Sequence, residues 1–158
     1  MNLMDMSITS LQEQYMEMRD DLKELVLELL NHAVWAPNHR NREPWRFIYI
    51  TGGEKPDFLN QKAPAHLVIT MRNDSNTLKQ NEDLAAVFCL IQNLTLLAWD
   101  KQLGVRVSFY EWMFDRNYCR KLGVPDKERI VAVLDLGFYS VIPEAPFKPS
   151  AALKWSFL

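Results

Sequence analysis

The chain has 158 residues, 48% of them hydrophobic, with five Trp and eight Phe, which fits one domain with a substantial core. Eighteen Lys and Arg against twenty Asp and Glu leave a net charge of −2, which excludes the broad basic field that nucleic acid or an anionic lipid surface requires. The first residues, Met-Asn-Leu-Met-Asp-Met, carry acid where a signal peptide carries base, and Gln92, Asn93 and Thr95 interrupt the longest apolar run, 84–97, short of a bilayer span. A cytoplasmic protein with no membrane partner is the expectation.

Ser10-Leu11-Gln12-Glu13 has the form of a capping box, and Leu11, Tyr15 and Met18 follow at helical spacing, predicting a short helix near 10–19. Asp21 opens a second helix, whose apolar stripe Leu22, Leu25, Val26, Leu29, Leu30 and Ala33 must end before Pro37. The chain then spends a run of polar residues before entering a strand at Trp45–Thr51, which stops at Gly52-Gly53; a loop of this composition between ordered elements commonly carries function. A second strand, 67–71, follows Pro64. Asn81 is the expected cap of a long helix that opens on Glu82 and Asp83, runs to Gln102 and stops at Gly104. From Leu84 to Trp99 that helix is apolar on nearly every face, which places it inside a fold or a subunit interface. Residues 111–122 read as a helix closed by Gly123 and Pro125, and 129–138 as a central strand. Pro143, Pro146 and Pro149 exclude regular structure from the tail, yet Phe147, Leu153, Trp155, Phe157 and Leu158 need a surface to cover them, either this chain's or a partner's.

The cluster His39, Arg40, Arg42 and Arg46 reads equally as an anion site or as a solvated loop partly balanced by Glu43. Gly52-Gly53-Glu54-Lys55 lacks the spacing of a phosphate loop and reads as a turn. His32, His39 and His66 show no metal spacing, and Cys89 and Cys119 read as a buried small apolar residue and a half-exposed thiol. Ser108 and Ser140 lack a nucleophile elbow, and no carboxylate pair stands out, so hydrolase chemistry has no support. Trp99 is expected in the core, whereas Phe109, Tyr110, Trp112 and Phe114 stay open between core and an aromatic ligand pocket.

Ala36-Pro37-Asn38, then Asn41, then Pro44-Trp45 resembles the flavin loop of the nitroreductase-like family, which reads Ala-Pro-Ser, two residues, Asn, one residue, Pro-Trp. Glu82-Asp83 with Ala85-Ala86, Gln92-Asn93-Leu94 and Leu97-Ala98 resembles that family's dimer helix, and Leu122-Gly123-Val124-Pro125 followed by 130–137 resembles its last core strand. The resemblance covers roughly 22–140. It implies an α+β fold, with a central mixed or antiparallel sheet flanked by helices, in an intertwined homodimer. It also implies one domain over 1–158, with 1–20 and 140–158 wrapping the partner. The implied activity is hydride transfer from NAD(P)H through FMN to nitroaromatic or quinone-like acceptors, centred on the flavin and without a side-chain acid or base. By the same resemblance the cofactor would be held by Asn38, Arg40, Asn41, Pro44, Trp45, Gly104, Arg106 and Lys148, with Asn41 at the isoalloxazine edge. The departures are specific. Where the family has Arg-Arg-Ser-x-Arg for the FMN phosphate, residues 12–20 offer only Arg19, and Arg106-Val107 replaces a small residue and Ser after the glycine. These departures imply an alternative: a homodimer of the same fold that has lost tight FMN binding and serves as a ligand-binding or interaction protein.

Overall fold

The computed structural model describes residues 17–53, 55–140 and 154–157. Helix α1, Leu22–Ala33, forms where the stripe predicts it and buries Leu22, Val26, Leu29, Leu30 and Ala33. Asp21 takes the cap position, although its carboxylate makes no capping bond. Of the helix expected near 10–19, residues 10–16 lie outside the described residues, and 17–19 are not helical, since Glu17 bridges Phe138 instead.

Strands β1 (Trp45–Thr51), β2 (Ala65–Arg72), β3 (Leu103–Ser108) and β4 (Glu128–Phe138) form one four-stranded sheet in the order β1-β2-β4-β3. Every pairing is antiparallel, which resolves the mixed-or-antiparallel expectation. β4 lies inside the sheet, as its apolar run requires, and only Arg129 along it escapes full burial. Ile69 pairs with Ala132 while Thr70 pairs with Ile130, so β4 bulges at Val131. The extra residue lets Ile130 and Val133, three apart, share one face of the sheet. On the other face Leu67, Ile69, Met71, Ala132, Leu134 and Leu136 pack beneath α1 and helix α2, Thr77–Asp100. The Ile130 face is covered by Leu59, by Met113 from a 3-10 turn at Glu111–Phe114, and by Cys119 from helix α3, Arg116–Lys121.

Several boundaries differ from expectation. α2 begins more than a turn before Asn81, because the Asn76 side chain accepts a bond from the Lys79 amide at 3.0 Å, and the Asp74 carboxylate orients Asn76 by accepting its N–H at 2.9 Å. The helix ends at Asp100, two residues short of the expected Gln102, which instead adopts a left-handed φ of +57°, and the expected stop Gly104 sits within β3 opposite Gly137. β3 has no counterpart among the predicted elements. The expected 111–122 helix is broken at Asp115, whose carboxylate caps α3 through the Asn117 amide; Gly123, at φ +72°, closes it as anticipated. Trp99 is not core: it is 51% exposed, with its ring edge-on to Tyr139. α2 buries one face through Val87, Leu90, Ile91 and Leu94 and exposes Leu78, Phe88, Leu96 and Trp99. Among the described residues it is the one helix long and apolar enough to cross a membrane, yet its buried face packs into this core. Of the tail, residues 141–153 and 158 lie outside the described residues, and Trp155 and Phe157 are exposed.

Candidate functional site

The loop between α1 and β1 is braced at both ends. Asn38 spans its mouth, with Oδ1 accepting from the Glu43 N–H at 3.0 Å and Nδ2 donating to the Ala36 carbonyl at 3.2 Å. Arg42 anchors its far side: Nε and Nη2 donate to Asp83 Oδ1 at 3.1 and 2.8 Å, and Nη2 also reaches Glu82 Oε2 at 3.0 Å. These hydrogen bonds, the one to Asp83 foremost, raise the guanidinium above its ordinary pKa. Between the braces, Arg40, Asn41 and Glu43 hold φ of +54°, +49° and +46°. Asn tolerates this left-handed region, but each of the other two costs about 1–2 kcal/mol, a strain that persists only because the surroundings over-determine it.

The basic cluster is therefore neither a free anion site nor simply solvated. Arg42 is paired as above, and His39 Nδ1 lies 3.7 Å from Glu82 Oε1. Arg46 Nε donates at 2.8 Å to Glu128 Oε2, which also accepts from the Thr70 hydroxyl at 2.8 Å. Burial pushes the Glu128 carboxyl up, but the bonds from Arg46 and Thr70 outweigh it and hold the pKa below its ordinary value. Glu82, Asp83 and Glu128, rather than Glu43, supply the balancing charge. Arg40 is exposed and has no ion pair among the described residues.

Asn41 is exposed, and its side-chain carboxamide makes no hydrogen bond among the described residues. With Asn38, Trp35, Val34 and Asn31 it lines a cleft of about 420 Å³. Pro44 and Trp45 line a neighbouring cleft of about 360 Å³ with Arg42, Arg46 and Arg72, and Glu43 borders both. A strained loop, two adjoining clefts and an uncommitted side-chain amide together form the most developed concave surface around the loop.

YfhC of Bacillus subtilis, a candidate NAD(P)H nitroreductase, is 32% identical over 146 aligned positions, covering 76% of this chain and 75% of the relative. The chain belongs to the nitroreductase-like family. The nitroreductase-like family protein of Bacillus cereus superposes with a TM-score of 0.72 at 26% identity over 91% of both chains. A nitroreductase with bound FMN from Desulfitobacterium hafniense shares the fold at a TM-score of 0.64, with 19% identity over 87% of each chain. No family-wide sequence profile matches.

Within this nitroreductase fold the anticipated cofactor residues that are described do not meet in one chain. Asn38, Arg40, Asn41, Pro44 and Trp45 belong to the β1 edge, at the end where Trp45 pairs with Met71; Gly104 and Arg106 belong to the β3 edge, at the end where Gly104 pairs with Gly137. Three strand spacings and about seven residues separate those corners, about 14 Å across the sheet and about 23 Å along it. Lys148 lies outside the described residues. Arg19, the one guanidinium of the 12–20 stretch, lies 4.2 Å over the Phe138 ring.

Arg106 ends a polar row that sequence reading missed. Its neighbour in register, Asp135, is paired in turn with His66. His66 Nδ1 and Asp135 Oδ1 are 3.0 Å apart and fully buried, Asn60 Nδ2 donates to Asp135 Oδ2 at 2.9 Å, and Arg106 Nη1 is 3.9 Å from that oxygen. His66 Nε2 is buried without a hydrogen-bond partner among the described residues. Lys55 pins the covering loop through the Gln61 and Ala63 carbonyls, and burial pushes its amine down. No local motif links residues so far apart in sequence; only strand register brings them together. The aromatic segment divides: Tyr110 stacks on Trp112 beneath Phe58, while Phe109 and Phe114 are exposed.

Proposed function

We propose that this chain is an FMN-dependent NAD(P)H oxidoreductase, soluble and cytoplasmic, that works as an intertwined homodimer and reduces nitroaromatic or quinone-like acceptors. The observation that carries the reading is the braced loop, which holds Asn41 in a left-handed conformation with its side-chain carboxamide uncommitted, three residues before Pro44 and Trp45. An isoalloxazine edge needs such an amide, able both to donate and to accept, together with an apolar flank for the ring. When bound, FMN supplies the hydride chemistry; Asn41 orients the ring, Pro44 and Trp45 exclude water from its flank, and Asn38 and Arg42 keep the loop in place.

The ring half of the donor set fits FMN; the phosphate half is thin. Arg42 and Arg46 are committed to carboxylates, Arg19 lies over Phe138, and Arg40 is the exposed guanidinium left in the loop. A charge-assisted contact to phosphate is worth about 1.5–3 kcal/mol, so losing two lowers affinity by about two to four decades. The opposite-corner placement of Asn41 and Gly104 favours a site completed by a second copy, with the termini, 1–20 and 140–158, wrapping that copy. The thin phosphate anchorage favours a second reading, a homodimer of this fold without tight flavin.

The test is an absorbance spectrum of the purified protein, FMN titration by flavin fluorescence, and NAD(P)H oxidation with menadione and a nitroaromatic. We expect FMN uptake with turnover. A colourless protein that takes up no FMN and consumes no NAD(P)H sinks the oxidoreductase reading in favour of the second.

A further inference from the structure

Trp35 is 85% exposed at the end of α1 and makes no ring contact among the described residues. Asn31, four residues earlier on the same helix end, also makes no side-chain hydrogen bond among them. An isolated exposed apolar residue needs no explanation, but both of these line the same cleft of about 420 Å³ as Asn41, a volume suited to a small ring. We infer that Trp35 and Asn31 form a subsite for a planar, electron-poor ring bearing a carbonyl or carboxamide. Oxidised nicotinamides and quinones share that chemistry.

Three features select it. The indole presents an electron-rich face, which favours offset stacking with an electron-poor ring over contact with an aliphatic chain. Trp supplies this area with only two side-chain torsions to immobilise. The Asn31 amide can donate to a ring carbonyl or accept from a carboxamide N–H, and Glu43, which borders the cleft, disfavours anionic rings. The subsite deepens the oxidoreductase reading by placing the reaction partner of the flavin on the α1 side of the cleft, and it rests on that reading only for the flavin itself.

The experiment uses the full chain labelled with 5-fluorotryptophan, the Trp35 fluorine signal being assigned from Trp35→Phe. 1-Methylnicotinamide and menadione are titrated separately, and FMN uptake is measured in parallel. We expect the Trp35 signal to shift saturably with at least one probe, which also tells the oxidised nicotinamide from the quinone. Binding of that probe, measured by isothermal titration calorimetry, should weaken at least tenfold in Trp35→Leu and about fivefold in Asn31→Ala, and should be largely retained in Trp35→Phe. Silence toward both probes, or a Trp35 signal that moves with protein concentration instead, as at a copy–copy contact, overturns the subsite. FMN uptake with a silent Trp35 rejects the subsite alone; a responsive Trp35 without FMN uptake rejects the flavin reading alone.

Discussion

Arg42 decides what the basic loop can do, because its fork is spent on Asp83 and Glu82 and so fixes the loop to α2. In an Arg42→Met variant the strain at Arg40, Asn41 and Glu43 loses its restraint. Amides of 38–43 should then exchange at least tenfold faster by hydrogen–deuterium exchange, with a lower Tm; unchanged exchange would mean that Asn38 alone holds the loop. The other arginine pair carries a pH dependence. Because its pKa is depressed in the fold, Glu128 contributes stability that is present above the ordinary value of 4.5 and lost as pH falls through the lower folded value. Thr70→Val removes one of the two bonds that depress it. That variant should lose about 1 kcal/mol at neutral pH by urea denaturation and show a weaker acid dependence. An acid limb identical to that of the parent would show that Arg46 alone sets the carboxyl.

At the scale of elements, α2 starts where Asn76 caps it, and two substitutions separate that assignment from the sequence expectation. Asn76→Ala should cost about 1 kcal/mol, and Asn81→Ala, inside the helix, no more than about 0.5 kcal/mol. Equal costs in thermal melts would return the start to Asn81. Composition misleads at this helix because it cannot rank two Asn caps: Asn76 wins through the turn that Asp74 makes, and Glu82 and Asp83 then serve Arg42 rather than the helix N-terminus. Gly104 misleads in a similar way. Glycine marks a stop only where φ is positive, and here Gln102 takes that conformation while Gly104 pairs in β3.

For the whole molecule, the exposed Phe88, Leu96 and Trp99 on α2 are the surface on which a second copy would pack in the proposed dimer. Size-exclusion chromatography with light scattering at micromolar concentration should give a dimer, and Leu96→Asp should shift it toward monomer; a monomeric parent chain would remove the shared-site proposal. The sequence alone determined the elements whose signals are local: the α1 stripe, the apolar runs of β1, β2 and β4, the Gly123 stop, and the Ala36-Pro37-Asn38 to Pro44-Trp45 wording that resembles a nitroreductase. Tertiary structure decided the partners. Which carboxylates neutralise Arg42 and Arg46, that Leu103–Ser108 pairs as a strand, and that His66, Asp135 and Arg106 share one row all follow from strand register and packing. Those contacts join residues tens of positions apart, and no spacing along the chain encodes a hydrogen bond formed only when two distant strands align.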